Sequence, residues 1–312
     1  MIEESVLAAF GRVKCGEPLC RHTTYKIGGP ADFLVEVDTQ NDLQNLVSLL
    51  DEKKIPWMVL GNGSNVLASD APYHGVIIKL TGEFCAYAFH GEILEARAGC
   101  SLIAISQSAM KESLTGLEFA YGIPGTLGGG VYMNAGAYRS DLSRLIETVT
   151  ILDGTQIRVL SKEEIGFEYR HSIFQKKKHW IVLGAALRLE KGDQEEIRAL
   201  MDSRKQRRLT SQPVSKPSAG SVFRNPSIGS AWEVVDALGF RGKYCGGAKV
   251  SEMHSNFIIN EEGKATARDV DTLIRSIQQA ALKKLGVQLI TEVERINWDA
   301  QLELETNTQS GS

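Results

Sequence analysis

The chain has 312 residues, which at ~150 residues per domain suggests about two domains, each able to bury a core. Hydrophobic residues make up 43% and charged residues 23%, which excludes a disordered chain and a small disulfide scaffold. Lys+Arg 35 against Asp+Glu 38 leaves a net charge of -3, so no global field draws the chain to nucleic acid or to an anionic membrane.

Met1-Ile2-Glu3-Glu4 is acidic where a secretory signal carries positive charge, and no apolar run approaches the ~20 residues of a membrane-spanning helix. A cytoplasmic location is therefore expected. Five cysteines (Cys15, Cys20, Cys85, Cys100, Cys245) are odd in number and form no C-x-x-C pair, and the six histidines show no ligand spacing. Neither a disulfide framework nor a metal site is expected.

In chain order, Phe33 to Val37 reads as a strand, followed by a helix with Leu43, Leu46, Val47 and Leu50 at helical spacing and a cap from Thr39 with Asp42. Ile55 to Leu60 and Val76 to Leu80 read as buried strands. Short strands follow at Phe84 to Phe89, Ile93 to Ala98, Thr148 to Leu152, Ile157 to Leu160 and Ile181 to Leu189, interrupted by a helix after Ser101 and a glycine-rich loop. A polar helix with Ile197, Leu200 and Met201 runs through Arg207-Arg208 into a stretch bearing Pro213, Pro217 and Gly220. Beyond it lie a helix at Trp232, Val235 and Leu238 stopped by Gly239, and a long helix from Thr266 to Leu285 stopped by Gly286. Val287 to Ile296 reads as a strand whose alternation puts Ile290, Glu292 and Glu294 on one face. The tail from about residue 302 is expected to fray. Arg207-Arg208 and Lys176-Lys177-Lys178 are the basic runs, read as solvated helix-end or loop charges.

Gly 30 exceeds the average share of about 7%, and the glycines cluster. Gly61-Asn62-Gly63-Ser64-Asn65-Val66 follows a strand, but Val66 replaces the third glycine of a dinucleotide fingerprint and no periodic helix follows, which argues against a Rossmann site. The run suits either a plain turn or a nest of backbone N–H groups converging on a phosphate. Ile123-Pro124-Gly125-Thr126-Leu127-Gly128-Gly129-Gly130, continuing to Asn134-Ala135-Gly136, mixes glycine with apolar residues, as a backbone approached closely by a ligand would. No G-x-x-x-x-G-K-[ST] is present, so phosphoryl transfer by a P-loop is excluded.

Tyr25-Lys26-Ile27-Gly28-Gly29-Pro30, the Gly61 run, the Ile123-Pro124-Gly125 cluster, Tyr169-Arg170-His171-Ser172 and Gly220-Ser221-Val222-Phe223-Arg224-Asn225-Pro226 occur in this order. Together they resemble the UDP-N-acetylenolpyruvoylglucosamine reductase family over about Cys20 to Ile296. The resemblance implies an α+β fold: a two-part FAD-binding region of the vanillyl-alcohol-oxidase (PCMH) type plus a C-terminal α+β substrate-binding domain. The expected boundaries are residues 1–82 and 83–192 for the two FAD-binding parts, 193–300 for the substrate domain, and 301–312 for a disordered tail. The short run from Arg170 into the strand at Ile181 resembles the shorter subclass, which lacks an inserted loop.

The activity implied by the resemblance is reduction of the enol ether of UDP-N-acetylglucosamine enolpyruvate, with non-covalent FAD as cofactor and NADPH as co-substrate. Hydride reaching the terminal alkene carbon pushes charge into the neighbouring carboxylate, so the site needs a fixed cation there and a proton source at the adjacent carbon. Arg170 suits the first role because a guanidinium stays charged and forks onto a carboxylate. The resemblance makes Ser221 the proton donor. By alternation alone Glu292 and Glu294 are equivalent; the resemblance selects Glu292, although Thr291 stands where the family has Pro and Glu294 where Arg is common.

For the cofactor, the resemblance implies Tyr25, Gly28, Gly61, Asn62, Gly63, Ser64, Asn65, Val66, Ile123, Pro124, Gly125, Thr126, Gly128, Gly129, Ala135, Gly136 and Val182. For the substrate, Tyr169, Asn225 and Lys243 are expected, with Lys249 a further cation of suitable type for the diphosphate. A sugar nucleotide is the expected partner, with no nucleic acid, membrane or obligate protein partner. Two other readings stand beside this one: a different flavin oxidase or dehydrogenase on the same FAD architecture, and a nucleotide-binding module without catalysis.

Overall fold

The computed structural model describes residues 2–298, so the tail expected from about residue 301 lies outside the described residues. The fold mixes helices with small sheets, an α+β architecture. Its contacts divide it into two compact units. One comprises the chain up to Gly16 with Asp32–Asn62 and His74–Arg208; the other comprises Glu17–Ala31, Gly63–Tyr73 and the chain from Leu209.

The first unit carries most of a four-stranded sheet in the order Arg12–Pro18, Pro30–Val37, Tyr73–Leu80, Trp57–Val59. Helix Gln40–Glu52 covers it, and its cap is the expected one: the Thr39 hydroxyl accepts the Asp42 N–H at 3.1 Å. Leu43, Leu46, Val47 and Leu50 repeat at three- and four-residue spacing, so all four fall on one stripe and pack with Val35, Val37, Val76 and Ile78. Each such side chain stabilises by about 1.5–3 kcal/mol when fully buried.

A five-stranded antiparallel sheet follows, in the order Gln156–Ser161, Ile146–Asp153, Trp180–Arg188, Ile93–Arg97, Tyr87–His90. In its central strand Gly184 faces Thr150 while Val182 faces Ile151, so Leu183 is an extra residue, a bulge. The bulge resets the alternation: Ile181 and Leu183 join the core under helix Gln40–Glu52, whereas Val182, Ala185 and Leu187 join a second core with Phe119, Leu127, Val131 and Phe174. One strand thereby serves two cores. The expected strand at Phe84 to Phe89 begins only at Tyr87, because Phe84 is fully buried within the 3-10 turn Gly82–Cys85.

The second unit holds a three-stranded sheet, Tyr244–Cys245, Ala248–Val250 and Ile258–Asn260, packed on helix Ala267–Leu285. Thr266 and Asp269 form a capping box, Gly286 ends the helix at φ 65, and Lys283 and Lys284 sit in the last turn. Val270, Leu273, Ile274, Ile277 and Ala281 supply its buried stripe. The expected strand from Val287 to Ile296 is regular only over Glu294–Ile296, which pairs in parallel with Val66–Ala68. Upstream, Val287 and Leu289 are buried in the core, the Gln278 side chain binds the Leu289 carbonyl at 2.9 Å, and Ile290 and Glu292 bond the backbone of residues 222–224 without forming a regular strand. Among the described residues no helix is long and apolar enough to cross a membrane.

Candidate active site

In the first unit, Gly61 and Asn62 close onto the loop Ile123–Thr126. A Cβ at Gly61 would stand 2.7 Å from Thr126 Oγ1, so only glycine permits this approach. Asn62 Nδ2 donates to the Pro124 carbonyl at 3.2 Å, and Lys79 Nζ to the Gly61 carbonyl at 2.9 Å. Burial lowers the pKa of Lys79. Thr126 Oγ1 accepts the Gly129 N–H at 3.3 Å, and Gly129 is exposed, with Thr126 Oγ1 the one atom within 4 Å of where its Cβ would be. The N–H groups of Gly61, Asn62, Gly125 and Thr126 have no hydrogen-bond acceptor among the described residues. A set of backbone donors without protein acceptors, beside the exposed Gly129, fits the diphosphate of a dinucleotide cofactor such as FAD.

Arg170 occupies the tip of a tight turn in which Glu168 and His171 exchange backbone hydrogen bonds, and it adopts the left-handed conformation at φ 55. Such a backbone in a residue that is neither Gly nor Asn is uncommon and signals local constraint. Its Nη2 donates to the Gly136 carbonyl at 2.5 Å and its Nη1 to the Asn134 carbonyl at 3.5 Å, which fixes the guanidinium against the glycine-rich loop. Tyr169 is 53% exposed and stacks on Arg170, its ring centroid 5.2 Å from Cζ. Val182 is a buried strand residue, Ala135 packs on the same core, and a Cβ at Gly128 would stand 3.0 Å from that of Ala98. From Arg170 a single 3-10 turn, Ile173–Gln175, leads to the strand at Trp180, with no inserted lobe.

Arg208 departs from the expectation of a solvated charge. It is half-buried beside Gly122, where a Cβ would fall 2.7 Å from its Cδ and 2.9 Å from Nη1, and burial lowers its pKa. Sequence spacing holds no sign of this, because the contact joins a helix end to a loop far upstream.

In the second unit, Ser221 begins an extended segment that pairs with the segment bearing Glu292. Phe223 bridges Thr291, the Glu292 N–H donates to the Val222 carbonyl at 2.8 Å, and the Arg224 N–H donates to the Ile290 carbonyl at 2.9 Å. Asn65 joins the same group: its Nδ2 donates to the Glu292 carbonyl at 3.0 Å and its own carbonyl accepts the Glu294 N–H at 2.9 Å. Ser221 and Glu292 are both half-buried. Ser64 and Val66 flank Asn65, and Gly63, at φ 60, lies so close to His22 that a Cβ would stand 2.2 Å from its carbonyl oxygen.

Several expected ligands in this unit have structural employment. Tyr25 is 1% exposed and its hydroxyl donates to the Ile258 carbonyl at 2.8 Å, so its side chain belongs to the core. Gly28 fits where a Cβ would meet those of Ala68 and Leu19 at 2.9 Å. Asn225 Oδ1 accepts the Ala231 N–H at 3.0 Å and so supports the start of helix Ala231–Ala237. Lys243 is exposed over the Phe240 ring. Lys249 is a poor diphosphate ligand, because its Nζ lies 3.3 Å from both the Glu252 and Glu261 carboxylates.

Comparison with known proteins agrees with this arrangement. Residues 31–159 match the model of an FAD binding domain, and residues 212–296 match the model of the UDP-N-acetylenolpyruvoylglucosamine reductase C-terminal domain. The UDP-N-acetylenolpyruvoylglucosamine reductase of Caldanaerobacter subterraneus subsp. tengcongensis is 46% identical, over 91% of this chain and 93% of its own length. That of Bacillus subtilis is 43% identical over 95% and 98%. The crystal structure of the Thermus caldophilus reductase superposes with a TM-score of 0.80 at 35% identity, covering 92% of this chain and 99% of that one. With both parts of the chain matched by these domain models and relatives matched over nearly their whole length, the chain belongs to the UDP-N-acetylenolpyruvoylglucosamine reductase family.

Proposed function

We propose that this chain reduces UDP-N-acetylglucosamine enolpyruvate to UDP-N-acetylmuramate, a step of peptidoglycan precursor synthesis, with FAD as bound cofactor and NADPH as reductant. The observation that carries the reading is the pairing of the Ser221 segment with the Glu292 segment inside the part of the chain that matches the reductase C-terminal domain.

When bound, FAD supplies hydride transfer, relaying hydride from NADPH to the terminal carbon of the enol ether. The backbone N–H groups of Gly61, Asn62, Gly125 and Thr126 would hold its diphosphate, with Gly128, Gly129 and Gly136 leaving room beside them. Arg170, fixed by two backbone carbonyls, receives the substrate carboxylate and stabilises the charge that develops there. Ser221 Oγ delivers the proton to the carbon beside that carboxylate. A serine hydroxyl is a weak acid, so it serves only next to a strongly basic carbanion-like centre. Glu292 is assigned the part of an acid that helps polarise the substrate carboxylate or relays a proton. Tyr169, Asn225 and Lys243 bind the sugar-nucleotide portion of the substrate. The substrate and reductant are soluble metabolites, which supports a cytoplasmic enzyme acting without nucleic acid or an obligate protein partner.

The test is NADPH consumption by the FAD-loaded protein under anaerobic conditions, with and without UDP-N-acetylglucosamine enolpyruvate. Continuous turnover only with the enolpyruvyl substrate is expected; flavin reduction that stops after one equivalent despite that substrate would refute the assignment.

A further inference from the structure

Asn256 is 4% exposed, and its carboxamide does for Phe223 what a neighbouring strand would do. Oδ1 accepts the Phe223 N–H at 3.0 Å while Nδ2 donates to the Phe223 carbonyl at 2.9 Å. The Asn256 backbone carbonyl accepts the Val222 N–H at 2.8 Å. The other side of the same segment is held by Ile290 to Glu292. Ser221 therefore begins a short bridged segment whose second edge is largely one side chain.

The clamp is itself fixed. The Asn256 N–H donates to His254 Nδ1 at 3.3 Å, the Ser255 hydroxyl donates to the Trp232 carbonyl at 2.8 Å, and Phe257 to Asn260 continue into the buried sheet. On the other flank of Ser221, Gly220 takes a left-handed φ of 76, and a Cβ there would touch nothing within 4 Å. On that flank packing resumes only at Ala219, which is 2% exposed, so the nearer constraint on the serine comes from Val222 and Phe223, the residues Asn256 binds.

We propose that Asn256 is a positioning residue for proton delivery: by satisfying both backbone groups of Phe223, it fixes where the Ser221 hydroxyl stands. The proposal rests on the reading of Ser221 as proton donor. Asn256 touches no reacting atom and acts through Ser221 alone.

Two variants test it in the FAD-loaded enzyme, Asn256→Ala and the isosteric Asn256→Asp, which keeps the acceptor for the Phe223 N–H but turns a carboxylate oxygen toward the Phe223 carbonyl. Stopped-flow traces separate reduction by NADPH from reoxidation by UDP-N-acetylglucosamine enolpyruvate. Reduction is expected to stay within about twofold of the parent while reoxidation slows by about a hundredfold, the size of effect that a misplacement of about 1 Å produces. In a Ser221→Ala background the same substitutions should slow reoxidation no further, because the group they position is gone. An unchanged reoxidation rate, a parallel loss of both half-reactions or of bound flavin in both variants, or a full further loss in the Ser221→Ala background overturns the proposal. If Ser221→Ala alone reoxidises at the parent rate, the reading of Ser221 falls and the proposal with it. A slow Ser221→Ala beside normal Asn256 variants removes the proposal alone.

Discussion

Glu292 and Ser221 are held in one local register: the Glu292 N–H binds the carbonyl of Val222 at 2.8 Å, one residue beyond the serine. That bond joins two backbone groups, so it remains available when either side chain is replaced. Ser221→Ala is expected to leave flavin reduction by NADPH nearly unchanged and to slow substrate reduction by about 10²–10⁴-fold, the usual range for a lost general acid. Glu292→Gln should act on the same half-reaction. Equal loss in both half-reactions would contradict this division.

Arg170 presents a planar fork whose Nη atoms bind the Gly136 and Asn134 carbonyls. A lysine keeps the charge but cannot hold two carbonyls and grip a carboxylate with two parallel bonds. Arg170→Lys should therefore raise the substrate KM and lower the rate of substrate reduction by about tenfold or more, consistent with about 1.5–3 kcal/mol for a charged hydrogen bond. Steady-state kinetics that match the parent would remove Arg170 from the carboxylate.

Gly61→Ala would drive a methyl group into Thr126 Oγ1, which stands 2.7 Å from the Cβ position. The 61–62 and 123–126 loops must then part, and the backbone donors they present diverge. Weaker FAD retention is the expected outcome, read as flavin fluorescence released on dilution, with the far-ultraviolet circular dichroism unchanged.

Asp271 is 1% exposed and accepts from Arg275 Nε at 2.6 Å and Arg295 Nη2 at 2.5 Å. Asp271→Asn removes the charge that two guanidinium groups share. A loss of about 3–5 kcal/mol is expected, as for other broken buried pairs, and urea unfolding measures it directly.

Burial pushes the Cys100 thiol up to about 11, whereas Cys15 and Cys85 are exposed. At pH 8 roughly one molecule in a thousand carries the Cys100 thiolate, so iodoacetamide should spare it in the folded protein and label it after denaturation. The folded chain favours the neutral thiol. Its contribution to stability is therefore present below the ordinary thiol pKa of 9.0 and is lost as pH rises toward about 11. Mass spectrometry of labelled peptides settles the first point and unfolding at pH 8 and pH 10.5 the second, best compared with a Cys100→Ala variant.

Periodic segments were legible from sequence. The Thr39 cap, the stripe of helix Gln40–Glu52 and the Gly286 stop all follow from local rules, and each stands as expected. Val287 to Ile296 misled because alternation describes a ladder, and here only its last three residues pair with a strand. In the candidate site, the glycine clusters marked where the loops at Gly61 and Thr126 approach closely, but Asn256 left no sign. Its partner Phe223 lies far away in sequence, and a buried asparagine looks like a turn residue until its contacts are seen. Arg208 reads as a solvated charge for the same reason: it lies beside Gly122, a residue with no side chain to suggest a contact.

The parallel pairing of Glu294–Ile296 with Val66–Ala68 also has a consequence for biosynthesis. A ribosome adding 5–20 residues per second takes roughly 10–50 s to travel between these two strands. Throughout that interval Val66 to Ala68 lack their partner, and Asn65 lacks its bonds to Glu292 and Glu294. Closing so long a loop comes late in folding. The unit carrying Ser221 is therefore completed only once nearly the whole chain has been made, and a nascent chain stalled short of Glu294 would expose an unpaired edge to chaperones.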